Sequence, residues 1–166
     1  MFCALGETGA GKGSVLWSII DQLAPAVRMG MVEVWALDPK GGMELAAGAP
    51  LFARFVHGRD TEFADTLEAA VALMQRRQQT LRGVTRLHEP SPGEPLVVLL
   101  IDELAALTGY VGDRETKRRI ANALGLLLSG PGGRGRDRGS GAGPAEGHRS
   151  GPGLVPLPDR ATAGRG

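Results

Sequence analysis

The chain has 166 residues, of which 42% are hydrophobic and 22% charged, and its formal net charge is +1. These values predict a soluble globular protein of about one domain, and the balanced charge points to no nucleic-acid or membrane partner. The single cysteine excludes an internal disulfide framework. The longest apolar run is far below the roughly 18 residues that span a bilayer, and no signal-peptide pattern opens the chain, so we expect a cytoplasmic protein.

The composition changes at residue 130. Residues 130–166 hold 12 of the 26 glycines and 5 of the 11 prolines, and their six arginines outnumber three acidic residues. A segment with so few apolar side chains cannot bury enough surface to offset the entropy of ordering it. We therefore predict a folded part over residues 1–129 and a disordered tail over 130–166.

The start of the folded part predicts a strand, a helix and a second strand. Residues 1–5 are apolar, and a helical pattern of apolar residues opens at Gly13 or Ser14. Proline is a helix terminator, so Pro25 predicts the end of this helix. Residues 31–37 predict a buried strand.

The middle of the chain is harder to interpret. Residues 46–59 are small and glycine-containing and predict no clear element. Thr61 is a candidate cap for a long helix from Glu62 to about Leu87. One side of this helix is apolar, through Phe63, Leu67, Val71, Met74 and Leu81. A proline-rich loop follows over residues 89–95.

The last predicted elements are a strand and two helices. Residues 96–101 (LVVLLI) suit a central parallel strand that is covered on both faces. A short helix over 104–108 and an amphipathic helix over 114–128 follow. The alternation of strands and helices predicts an α/β fold with a parallel sheet and right-handed crossovers.

The segment after the first strand nearly matches the phosphate-loop pattern G-x-x-x-x-G-K-[ST]. Its residues are Gly6, Glu7, Thr8, Gly9, Ala10, Gly11, Lys12, Gly13 and Ser14. Glycines let backbone N–H groups converge on a polyphosphate, the following helix N-terminus adds positive charge, and Lys12 would reach the β- and γ-phosphates. An ordinary glycine-rich turn is the alternative, but the strand before it and the helix after it favour nucleotide binding.

One position departs from the pattern. Gly13 stands where Ser or Thr is usual, and Ser14 follows one residue late. The hydroxyl expected on Mg²⁺ is therefore Ser14, provided that the loop shifts to present it.

Two acidic residues follow the apolar strand 96–101. Asp102 is the candidate magnesium ligand, and Glu103, which points differently, is the candidate general base that polarises the attacking water. Both could instead cap the helix over 104–108. The phosphate loop favours the first interpretation, because both motifs belong to the carboxyl edge of a parallel sheet, where α/β proteins bind ligands.

A third loop, Asp38-Pro39-Lys40-Gly41-Gly42, follows the second strand and is expected at the same edge. From the sequence, Lys40 could contact phosphate, pair with Asp102 or simply be solvated.

Together, GETGAGKGS, WALDPKGG and LVVLLIDELAAL resemble the motor ATPase domain of the FtsK/SpoIIIE DNA translocases. The match is closest to the actinobacterial branch, in which Gly-Ser follows the lysine and the aspartate loop is DPKGG. The resemblance covers residues 2–129. It implies a P-loop NTPase with a RecA-like sheet, ATP bound by residues 6–14, magnesium held by Asp102 and Ser14, and water activated by Glu103.

The resemblance also implies partners: double-stranded DNA and a homo-hexamer around it. Intact relatives can be membrane-anchored, whereas no membrane segment is expected in this chain. Neither a DNA-contacting loop nor an arginine finger can be assigned, and Arg114, Arg118 and Arg119 are interpreted as a solvated helix face.

Relatives extend beyond this chain on both sides, so we expect a core fragment that is truncated and incomplete at its C-terminal side. Residues 130–166 have two explanations, a genuine basic tail or a shifted reading frame in GC-rich DNA. The next frame permits an apolar strand followed by Gln-Asp-Pro-Arg-Lys, as the family would have, and the nucleotide sequence decides between the two. Two other functions compete with the motor: a non-catalytic remnant with weak or no nucleotide binding, and a P-loop kinase, for which only 46–59 offers a substrate lid.

Overall fold

The structure, a computed structural model, describes residues 2–5, 12–85 and 87–129, with the backbone alone for residues 2–5, 12 and 13. The chain divides into two units, residues 1–136 and residues 137–166. All described residues belong to the first unit, so the predicted disorder of 130–166 lies outside them. None of the helices over the described residues combines the length and hydropathy needed to cross a membrane.

The described residues form a four-stranded parallel sheet with helices. In chain order the elements are β1 (Phe2–Leu5), α1 (Lys12–Arg28), β2 (Val32–Leu37), a 3-10 turn (Ala46–Leu51), β3 (Phe52–Val56), α2 (Asp60–Leu81), β4 (Leu96–Ile101), α3 (Leu104–Gly109) and α4 (Arg114–Ser129). The strand order is β1-β4-β2-β3, and every neighbouring pair is parallel. The predicted α/β class and the central position of the LVVLLI strand are confirmed.

Helices cover both faces of the sheet, because alternate side chains of the central strands leave in opposite directions. On β4, Val97, Leu99 and Ile101 belong to an apolar cluster with α2, α3 and α4, which we call the α2-side cluster. Val98 and Leu100 belong to a second cluster with Leu16 and Ile20 of α1, which we call the α1-side cluster. A strand that is buried on both faces has to be apolar throughout, which is why this segment lacks the polar alternation of an exposed strand.

Helix α1 corrects one expectation. Pro25 was predicted to end the helix but lies inside it, and the helix continues to Arg28. A proline removes one backbone hydrogen bond, yet Ala24 is buried and Ala26 and Val27 pack against the α1-side cluster. This packing sustains the last turn.

Helix α2 begins and ends earlier than the sequence predicts. Its cap position is Arg59, not Thr61, and no side chain caps it. It ends at Leu81, six residues before the predicted Leu87, and Gly83 follows with a φ of 80°. This left-handed conformation, which glycine adopts at low cost, turns the chain out of the helix.

Strand β3 was not predicted. It is short and only partly buried, with the pattern of an edge strand, and Arg54 lies over the ring of Trp35 on the neighbouring strand at 4.0 Å from its centroid. The segment 46–59 is therefore a 3-10 turn and an edge strand of the sheet, and the lid that a small-molecule kinase would need from it is not there.

We predict that Leu99→Ala lowers the free energy of unfolding by about 2–5 kcal/mol, because it opens a cavity in the fully buried α2-side cluster. Urea denaturation measures the change. The matched control is Leu126→Ala on α4, where the side chain is 47% exposed and the loss should stay below about 1 kcal/mol. Equal losses for the two variants would contradict the position of β4 in the core.

The α2–α4 contact has an electrostatic part. Arg119 of α4 donates from Nη2 to Asp65 at 2.6 Å and reaches both carboxylate oxygens of Glu68 at 2.6 and 2.9 Å. The hydrogen bond from Arg119 lowers the pKa of Glu68. A carboxylate with a lowered folded-state pKa stabilises the fold above its unfolded pKa, and this stabilisation is lost as the pH falls through the folded value.

We therefore expect Arg119→Met to lower the thermal midpoint at pH 7 and to have a progressively smaller effect as the pH falls below about 4. The control is Arg118→Met, since Arg118 pairs only with Glu115 of its own helix among the described residues. A loss of stability for Arg119→Met that does not change with pH would contradict an ionic contribution.

Candidate functional site

The strand ends bring three separate parts of the sequence to one edge of the sheet. In the register of the sheet, Ile101 of β4 pairs with Leu5 of β1 and with Leu37 of β2. The three strands therefore end at the same level. The pair Asp102–Glu103 and the loop from Asp38 onwards leave from this level, as the sequence predicts, and β1, which precedes the phosphate-loop motif in the sequence, ends at it.

The connections from neighbouring strands leave this edge towards opposite faces of the sheet. The connection after β1 leads to α1 on one face, and the connection after β4 leads to α3 and α4, which share the opposite face with α2. Where adjacent parallel strands send their connections to opposite faces, a crevice forms at their carboxyl ends, and ligands bind there.

Residues 6–11 of the predicted phosphate loop lie outside the described residues. The backbone of Lys12 and Gly13 forms the start of α1, and Ser14 is exposed in its first turn. The helix N-terminus thus lies directly after the loop, as phosphate binding requires. The roles of Gly6, Glu7, Thr8, Gly9, Ala10 and Gly11 remain predictions.

Asp102 and Glu103 are both buried, with 2% and 8% of their surface exposed. The backbone N–H of Asp102 donates to the carbonyl of Leu37 at 3.0 Å, so the β2–β4 ladder extends one step beyond Ile101. Glu103 occupies the cap position of α3, yet its side chain makes no capping hydrogen bond. The alternative interpretation is thus confirmed for the position of Glu103, although its carboxylate does not cap the helix.

Buried carboxylates at a strand end fit a magnesium ion that takes its other ligands from phosphates and water. Asp102 supplies a carboxylate, and Ser14 supplies a hydroxyl on the first turn of α1; both offer the oxygen ligands that magnesium prefers. Among the described residues, no three acidic, histidine or cysteine side chains form a metal cluster.

The loop after β2 is organised by Asp38, which is fully buried. Its carboxylate accepts three backbone N–H groups, from Lys40 at 3.1 Å, Glu44 at 3.0 Å and Leu45 at 3.1 Å. Sequence reasoning placed Asp38 in the third loop but assigned it no role. The signal was available, because an aspartate after a strand and before Pro and Gly is typical of a side chain that hydrogen-bonds the turn it opens.

Lys40 lies beside the acidic pair but contacts the second acid. Its Nζ lies 2.5 Å from Oε2 of Glu103. The hydrogen bond to Glu103 raises the pKa of Lys40, with further contributions from the charges of Glu103 and Asp102. Of the three expectations for Lys40, full solvation is wrong, and its ion-pair partner is Glu103 in place of Asp102.

A cavity of about 400 Å³ lies next to this pair. Its lining residues are Pro39, Lys40, Asp60, Glu103, Ala106, Leu107 and Tyr110. Lys40 and Glu103 are therefore reached from the α2–α3 side of the sheet.

The arginines of α4 do not form one solvated face. Arg119 is tied to α2 by its two carboxylate partners, and Arg118 pairs with Glu115. Arg114 is exposed.

Comparison of the chain with models of protein families and with curated proteins gives no match. Among solved structures, it is similar to the pCW3 conjugation coupling protein TcpA in its monomer form with ATPγS. The identity is 24% and the TM-score 0.59, and the similarity covers 77% of this chain and 38% of that one. At this identity the similarity shows a shared fold, and the present chain spans well under half of the other protein's length.

The two glycines of the third loop give a matched test of its geometry. Gly41 and Gly42 have φ values of 76° and 84°. A Cβ on Gly42 would lie 3.1 Å from the His57 ring and 3.3 Å from the Phe55 ring, whereas nothing lies within 4 Å of one on Gly41.

We expect Gly41→Ala to destabilise the fold by about 1 kcal/mol through backbone strain, and Gly42→Ala to destabilise it further, because the ring contacts add to the strain. Thermal unfolding of both variants measures the difference. Gly42→Ala that is as stable as Gly41→Ala would show that the loop has room to move.

Proposed function

We propose that the chain is an ATP-hydrolysing P-loop motor fragment whose relatives move double-stranded DNA in conjugation or chromosome segregation. The observation that carries the proposal is the common level at which β1, β2 and β4 end. The buried Asp102 and Glu103 follow β4 at the edge where β1, which precedes the phosphate-loop motif in the sequence, also ends. The sequence resemblance to FtsK/SpoIIIE translocases, and the fold shared with a conjugation coupling protein bound to ATPγS, support the same conclusion.

In the proposed reaction, residues 6–14 bind the triphosphate of ATP. Asp102 and Ser14 would hold Mg²⁺, and the ion would neutralise phosphate charge. The oxygen of a water molecule forms a bond to the γ-phosphorus while the bond to the β–γ bridging oxygen breaks. Glu103 accepts the proton of that water and releases it to solvent. The products are ADP and inorganic phosphate.

Three further points of this proposal are supported by the sequence resemblance: duplex DNA as a partner, a hexameric ring and membership of the actinobacterial branch. The conjugation role is also supported by the similarity in fold to a conjugation coupling protein. Because the chain spans 38% of that protein, the full motor cycle would need parts that relatives possess beyond residues 1–129.

The experiment measures phosphate release from ATP with magnesium, with and without duplex DNA. Lys12→Ala and Glu103→Gln should each lower kcat by about 100-fold or more, because they remove the phosphate-binding ammonium and the general base. Lys117→Ala, an exposed lysine on α4, is the matched control and should keep the activity of the unaltered chain.

The outcomes separate the candidate functions. Turnover that rises with duplex DNA and is lost in Lys12→Ala supports the translocase. Turnover that DNA leaves unchanged supports an ATPase and contradicts the DNA partner. Absence of turnover and of nucleotide binding in folded protein leaves the non-catalytic remnant.

A further inference from the structure

We propose that Lys40 is a positioning residue that fixes the carboxylate of Glu103 for water activation, and that Asp38 fixes Lys40. This inference rests on the ATPase function proposed above, and it assigns a role to a loop that the sequence left open.

The first step is the attachment of the loop. Asp38 is fully buried and uses both carboxylate oxygens on backbone N–H groups of the following residues, Lys40, Glu44 and Leu45. The backbone N–H of Asp38 also donates to the carbonyl of Val56 at 2.8 Å, which ties it to the end of β3. The backbone of Lys40 is therefore fixed relative to the sheet.

The second step is the ion pair. The ammonium of Lys40 reaches Oε2 of Glu103, whose side chain is only 10% exposed, while the Lys40 side chain is 43% exposed. The pair connects the end of β2 with the end of β4, which are already aligned by the register of Leu37 and Ile101. A lysine on a fixed backbone thus contacts a carboxylate on a neighbouring fixed backbone.

The third step concerns the position that a general base needs for its carboxylate. A glutamate side chain has several torsions, and a general base acts only from within hydrogen-bond reach of the proton it takes. A functional carboxylate therefore needs a neighbour that selects its rotamer. Lys40 supplies this restraint, because its ammonium is carried on a fixed backbone and pairs with Oε2 of Glu103.

The test compares Lys40→Met, which keeps the aliphatic stem without the charge, with Lys40→Arg, which keeps the charge. We expect Lys40→Met to lower kcat by about tenfold, less than the roughly 100-fold loss from removing the base itself. The Kd for a fluorescent ATP analogue, measured with magnesium, should change by less than about twofold, and Lys40→Arg should restore most of the turnover. The partly exposed position of Lys40 favours folding of both variants, and circular dichroism checks it.

A double-mutant cycle tests whether Lys40 acts through Glu103. In a Glu103→Gln background, Lys40→Met should cause little further loss of kcat, because the carboxylate that it positions is already gone. The same four proteins are compared by thermal unfolding, which needs no turnover, and their midpoints should be non-additive if the ion pair forms in solution.

Each result decides a different question. If the unaltered chain has no turnover, the ATPase proposal fails and this inference fails with it. Turnover that Lys40→Met leaves intact overturns the positioning role while the ATPase stands. Weaker nucleotide binding with unchanged kcat, or equal losses from Lys40→Met in both backgrounds, also overturns it, since Lys40 would then act on the nucleotide or independently of Glu103.

Discussion

The common level of three strand ends is the constraint on which the candidate site depends. β4 pairs with β1 on one side and β2 on the other, and Ile101 is level with Leu5 and Leu37. A slip of one residue in either ladder would reverse the faces of the apolar side chains of that strand and bury the wrong set. The packing of the two apolar clusters thus fixes the register of β2 and β4, and this register fixes where the acidic pair lies.

Polar groups at such an edge have to be satisfied, because burial of an unpaired polar atom costs free energy. Asp38 illustrates how the fold meets this requirement: its carboxylate takes three backbone N–H groups of the loop that it begins. The same residue thereby converts a glycine-rich loop, which would otherwise have many conformations, into a fixed support for Lys40. The hydrogen bonds that organise the loop are the same ones that satisfy the buried carboxylate of Asp38.

The sequence predicts the parts of this fold whose pattern is strong over many residues. The apolar run 96–101 gives the central strand with its bounds, and the 3–4 spacing of α4 places that helix to within one residue. The errors fall where tertiary packing overrides local preference. Pro25 is tolerated because its neighbours are buried, and β3 escapes notice because an edge strand with exposed residues lacks a clear alternation.

The sequence indicates which residues belong to the candidate site, but it does not indicate which of their side chains are in contact. The motif residues indicate a sheet edge, since each follows an apolar strand. The partner of Lys40 depends on the relative positions of two loops that are more than sixty residues apart in the sequence, and no local pattern specifies it. The position of Asp38 before Pro and Gly indicates an aspartate that forms a turn, but the burial of its side chain depends on the folded loop, which a single sequence does not reveal.

The position of β4 between two hydrogen-bonded neighbours has a mechanical consequence. Sliding this strand along its own axis would break both ladders at once, so the sheet resists shear much more than the connections that leave it. A load on the carboxyl edge would therefore deform the loops there, and the helices they carry, before it deforms the sheet. The two acids at the end of β4 lie at the boundary between the stiff sheet and these more easily deformed segments.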